Sequence, residues 1–223
     1  MQQSGDVQCH ALGVDGVDCN HFCMIHVSAI RALRTFFGVL PLVAIGRQFA
    51  IHLNLGFNAL NFFSYFTNLG NLFAACVLLV AANFVNGYGV ALVRATAVIA
   101  MSIVGVVFSV LLRDADLGAL EPWVNFIVHY LMPCVVVLDW LLWPPRIALG
   151  ARDLALCLLF PLLYVCYALL RGSLSGWYPY GFLNPANVGG AGVAIYVAAI
   201  TALFLVVGWL LLAVANWRLA PPG

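Results

Sequence analysis

Lysine is absent from this 223-residue chain, and charged residues of every kind make up only 8% of it. Charge that scarce excludes an ordinary soluble globular domain, in which about a quarter of the residues are charged. The nine basic residues are all arginine, they form no cluster, and the formal net charge is +1, so no nucleic-acid partner is expected. Internal repeats are missing as well, which argues against an inverted-repeat transporter. No charged segment leads into an apolar run at the start, as a cleaved signal peptide would require. Neither a G-x-S-x-G elbow nor an H-E-x-x-H zinc motif occurs, so two familiar hydrolase classes fall away.

What the chain has is hydrophobic length. Hydrophobic residues make up 65% of it, arranged in long apolar runs separated by short turns rich in Asn, Gly and Pro. The expected fold is all-α: a polytopic membrane protein with helices at about 28–52, 61–84, 90–112, 123–143, 153–171 and 191–215, each able to cross hydrocarbon about 30 Å thick. Residues 1–27 read as a loose tail, 28–216 as the transmembrane domain and 217–223 as a short C-terminal tail. A start at Met24 would make residues 1–23 an extension.

With the N-terminus inside, the cytoplasmic side collects Arg31, Arg34, Arg94, Arg146, Arg152 and Arg218 against Arg113 and Arg171 outside, the latter side also holding Asp114, Asp116 and Glu121. That bias predicts both termini in the cytoplasm. Trp123, Trp140, Trp143, Trp177 and Trp217 fall near the expected interfaces, as an aromatic belt requires. Of seven cysteines, Cys76, Cys134, Cys157 and Cys166 lie in apolar spans, where Cys is a small packing residue. Cys9, His10, Cys19, His21, Cys23 and His26 crowd the N-terminus, but their spacing matches no closed zinc site. No metal and no cofactor are expected.

Polar residues inside membrane spans are costly and usually line a cavity or a functional path. On the second span, Asn61, Ser64, Thr67, Asn68 and Asn71 fall in an arc of roughly 120° on a regular helix. On the fourth, Glu121, Asn125, His129 and Asp139 fall within about 80°. Thr67 and His129 each lie about six residues into their helix, hence roughly 9 Å below the same boundary. A hydroxyl and an imidazole at one depth suit a nucleophile and its general base. Polar seams that glue helices together would give the same stripes.

Asp139 is about 15 Å along the axis from His129; a structural pairing with Arg146 or Arg152 is expected there. Asn68 or Asn71 is the expected donor to a developing oxyanion. Arg47, Gln48, His52 and Asn54 end the first span, and Tyr164, Tyr167 and Arg171 share one face of the fifth. The loop from Trp177 to Pro185 is aromatic enough to form either a lid or an interfacial anchor. Ser102, Gly105 and Ser109 on the third span read as close helix packing. Candidate catalytic residues are therefore Thr67 and His129; candidate substrate-binding residues are Asn68, Asn71, Asn125, Arg47, Tyr164, Trp177 and Tyr180.

Three segments carry a family resemblance: F-x-Y-F-T-N-L-x-N (Phe63 to Asn71), H-Y-x-M-P followed by L-D-W-L-L-x-P-P-R (His129 to Arg146), and W-Y-P-Y-x-F-L-N (Trp177 to Asn184). From about Ile30 onward the chain resembles a bacterial branch of the androgen-induced-protein family, small multi-helix membrane proteins. That family includes animal members that hydrolyse fatty acid esters of hydroxy fatty acids with an intramembrane Thr and His. The resemblance implies Thr67 as nucleophile, His129 as base, a lipid ester as substrate, membrane lipids as surroundings and a bacterial inner membrane as location. A transporter or channel, or a lipid-binding membrane subunit, remains an alternative on the residues alone.

Overall fold

A computed structural model describes residues 16–84, 87–115 and 117–219, with side chains from Val27 onward. The Cys/His group at the N-terminus and Asp116 lie outside the side chains described. The helices are α1 (Gly16–Asn54), α2 (Ala59–Phe63), α3 (Phe66–Asn83), α4 (Tyr88–Val107), α5 (Pro122–Phe126), α6 (Met132–Leu142), α7 (Ala151–Ser175) and α8 (Pro185–Trp217). Wide π turns continue α4 over Phe108–Leu112 and join α5 to α6 over Ile127–Leu131. Six spans are long and apolar enough to cross a membrane. The chain is therefore an all-helical, multi-pass integral membrane protein, as its hydropathy requires. α1 begins at Gly16, so residues 16–27 extend the first helix where a loose tail is expected.

Local chemistry sets the ends. Pro122 and Pro185 open their helices at a position where a missing N–H costs nothing. The side chains of Asn58 and Asn184 accept from Leu60 and Ala186 N–H as N-caps, and Gly176 closes α7 in the left-handed conformation.

Lipid removes the hydrophobic drive between helices, so close packing of small residues must hold them. The inner seams are accordingly built from alanine and glycine. Ala44, Ala74, Ala75, Ala81, Ala95 and Ala97 are essentially inaccessible, and a Cβ on Gly38 would come within 2.7 Å of Leu79. α3, α4 and the α5–α6 span form the centre, with 50–56% of their apolar windows buried, whereas α7 and α8 bury only 17% and line the periphery.

One deep feature departs from expectation. Asp139 pairs with Arg34 (2.7 Å) and Arg94 (2.8 Å), not with Arg146 or Arg152. Arg34 also donates to Ala81 O at 2.9 Å and Arg94 to Trp143 O at 2.7 Å, so four spans meet at this cluster. Arg34 and Arg94, interfacial charges in the orientation bias, are both buried and belong inside. Trp140 is likewise buried, donating to Leu211 O, so it is no part of an aromatic belt. Cys157 is buried as expected, while Cys76, Cys134 and Cys166 face outward. Gly105 does pack tightly, 3.1 Å from Pro133 for an added Cβ, but Ser109 is exposed.

Candidate functional site

The second span is not a continuous helix. It breaks at Ser64–Tyr65: Ser64 ends α2, and Tyr65, in extended conformation, caps α3. Irregular backbone at membrane depth survives only where its polar groups find partners. Here they do. Tyr164 donates to Ser64 O at 3.0 Å, Asn68 Nδ2 to Phe62 O at 2.8 Å, and the Ser64 hydroxyl to Leu60 O at 2.6 Å. Tyr167 reaches the Ser64 hydroxyl at 2.8 Å, and Arg171 donates to Asn61 at 2.5 Å. The shared face of Tyr164, Tyr167 and Arg171 on α7 is thus the clamp on this break.

The break puts Thr67 in the first turn of α3, where backbone N–H groups have no partner inside the helix. Thr67 N–H donates to the Tyr180 hydroxyl at 3.3 Å. Burial pushes the Tyr180 phenol above its ordinary pKa, opposed by hydrogen bonds from the Thr67 hydroxyl and N–H. Tyr180 is therefore a neutral proton donor at physiological pH. Its loop is held down by Tyr178, whose ring lies where any side chain on Gly172 would have to go. Tyr65 packs edge-on against both Trp177 and Tyr180, at 5.8 and 5.7 Å.

His129 sits in the middle of the second π turn. That turn arises from Pro133: Met132 N–H donates to Ile127 O, and proline has no N–H, so Val128 O has no donor within its own helix. Asn71 supplies one, at 3.0 Å, and its second N–H reaches Thr67 O at 2.9 Å. The residue beside His129 and the backbone of Thr67 are thereby tied to one side chain. The ring stacks on Phe108 of the facing π turn, with centroids 3.7 Å apart and planes at 18°. His129 Nδ1 bonds to Asn125 Oδ1 at 2.7 Å. An acceptor there places the proton on Nδ1 and leaves Nε2 free to accept another.

Thr67 and His129 border one chamber of about 560 Å³, which also touches Asn68, Trp177 and Tyr180. Such a volume suits a small-molecule site. It opens among the connections after α1, after α4 and after α7, all on the face opposite the C-terminus. Gln48 shapes its rim, donating to Ala119 O at 2.9 Å and accepting from Glu121 N–H at 3.1 Å. No Asp, Glu or Arg lines it among the described residues.

The remaining candidates separate. Asn71 has both amide protons committed, whereas Asn68 gives one to Phe62 O and borders the chamber with the other. Asn125 holds His129. Tyr164 serves the helix break. Arg47 is on the exposed rim, 3.0 Å from Glu121, whose carboxyl it holds below the usual carboxylate range by hydrogen bonding. Sequence reasoning missed Phe108, which looks like an ordinary span residue until the helices are placed side by side; Gln48 stood out only as one of the polar residues that end the first span. The chain matches no protein-family model, no curated protein and no solved structure.

Proposed function

We propose that this protein is an integral membrane hydrolase that cleaves a neutral lipid ester at Thr67, with His129 as the base. The observation that carries the reading is the shared chamber: an oriented imidazole and a hydroxyl at a helix start border one uncharged cavity. In this mechanism His129 Nε2 takes the Thr67 proton as Oγ1 attacks the ester carbonyl. Charge developing on the carbonyl oxygen is met by Tyr180 O–H and by the amide proton of Asn68 that Phe62 O does not hold, both groups bordering the chamber. The imidazolium then gives its proton to the leaving alcohol, and an acyl-threonine remains. Water, deprotonated by His129, hydrolyses it and restores Thr67. The Asn125–His129 pair does the orienting that a third group performs in other nucleophile–base sites.

A channel fits less well. The chamber occupies the half of the bundle away from the termini, and the other half is closed by the Arg34–Asp139–Arg94 cluster and by Trp140. The resemblance to the androgen-induced-protein family supports the hydrolase reading and, through its bacterial branch, an inner-membrane location. Termini in the cytoplasm remain the proposed orientation, now on Arg31, Arg146, Arg152 and Arg218 against Arg113 and Arg171.

The test is labelling of the detergent-solubilised protein with a lipid-like fluorophosphonate. Wild type is expected to label, and Thr67→Ala and His129→Ala to lose the label while keeping their helical circular dichroism. A folded wild type that stays unlabelled, or a Thr67→Ala variant that labels as wild type does, overturns the proposal.

A further inference from the structure

The geometry points to an acyl-chain portal that joins the bilayer interior to Thr67 from the side. It rests on the reading of Thr67 as the reacting hydroxyl and adds how the substrate arrives and which part of it is recognised. A second cavity, of about 80 Å³, lies behind Thr67 between α4, α7 and α8. Thr67, Phe108, Leu112 and Tyr180 border both this cavity and the large chamber, so the two spaces meet at the proposed site of reaction.

The lining of the smaller cavity identifies its occupant. Ile103, Val104 and Val107 of α4 face Leu158 of α7 and Ile200 and Phe204 of α8 across it. No charged side chain borders it among the described residues, and the Tyr164 hydroxyl on its wall is already bound to Ser64 O. A headgroup or a carboxylate would be desolvated there without partners. Its far end includes Leu162, 39% exposed on the outer surface of α7. In a membrane that surface meets hydrocarbon, so the medium at the mouth is itself made of acyl chains. The carbons beside the carbonyl lie in this cavity, and the rest of the chain runs past Leu162 into the bilayer between the loosely buried α7 and α8. The polar remainder of the ester lies in the chamber, and the alcohol leaves toward its open, loop-lined face.

Two readouts on the full chain in phospholipid nanodiscs test this. The first is kcat/KM for p-nitrophenyl decanoate divided by that for p-nitrophenyl acetate. Thr201→Trp, which pushes an indole into the smaller cavity, is expected to lower this ratio at least tenfold; a ratio within twofold of wild type overturns the portal. The second needs no turnover: irradiation with a fatty acid carrying a diazirine within the first few carbons of its carboxyl group, followed by peptide mapping. Labelling of Leu158, Leu162 or Ile200 that excess palmitate competes away is expected in both wild type and Thr67→Ala. Labelling spread evenly over outward residues such as Leu163 and Leu170, and not competed, overturns the portal whatever the activity. Competed labelling in a protein that cleaves neither ester retains the portal and removes the hydrolase. If Thr201→Trp does not fold, the labelling decides alone.

Discussion

In the proposed mechanism His129 serves as a base because its neighbours leave it one role. Asn125 fixes the proton on Nδ1, and the Phe108 ring fixes the plane, so Nε2 is the nitrogen left to accept a proton. Only the neutral ring accepts a proton. Ester cleavage should therefore fall on acidification, once the imidazole takes up a proton, and level off at higher pH. A rate that stays constant on acidification down to the onset of acid unfolding would remove His129 from the mechanism. Asn125 acts through the ring and should show it in kcat. Asn125→Ala is expected to lower kcat about a hundredfold, the usual cost of an ångström's misplacement, with KM little changed. Asn125→Asp keeps an acceptor for Nδ1–H and should recover part of the loss; equal loss in both variants would mean that Asn125 merely packs.

At the scale of elements, the site depends on two departures from the α-helix, and the sequence announced them unequally. Pro133 was visible, and its missing N–H explains the π turn that carries His129 and rotates α6 by about a quarter turn relative to α5. The break at Ser64–Tyr65 was not visible, since no Gly or Pro stands between Phe62 and Leu69. It exists because residues a hundred positions away supply its hydrogen bonds, and no local pattern encodes that. The six spans themselves were legible to within a few residues at most ends, because length and hydropathy are local properties. Removing a remote donor tests the break. Tyr164→Phe leaves Ser64 O buried and unpaired, at a cost of about 1–3 kcal/mol. A lower melting temperature and lower turnover are expected together, since the break sets where α3 starts and hence where Thr67 stands. Gly172→Ala probes the loop separately. Its methyl would occupy the place of the Tyr178 ring, so Tyr180 should shift and catalysis fall with the six spans intact. Unchanged turnover in Gly172→Ala would show that the loop adapts and that Tyr180 is not an oxyanion donor.

The whole molecule divides into a half that holds the chamber and a sealed half. The chamber is lined by neutral groups, with Arg171 and the Arg47–Glu121 pair outside its lining, whereas the half nearer the C-terminus buries two arginines on one aspartate, with Arg34 Nη2 lacking a hydrogen-bond partner. From sequence these charges looked like helix ends, because their pairing depends on which helices stand side by side. Buried charge pairs cost much to desolvate, so the cluster's net worth is small while the loss of one member is severe. Asp139→Asn should therefore destabilise by about 3–5 kcal/mol, leaving two buried guanidinium groups without a counter-charge. Replacing all three, as Arg34→Leu, Arg94→Met and Asp139→Leu together, should restore most of that stability with apolar packing. The cluster is about 15 Å along the helix from His129 and touches neither cavity at Thr67. A refolded triple variant should consequently cleave ester at a rate near wild type, measured beside its thermal unfolding. If it regains stability yet loses turnover, the two halves are coupled, and the cluster sets the spacing between the π turn at His129 and the start of α3.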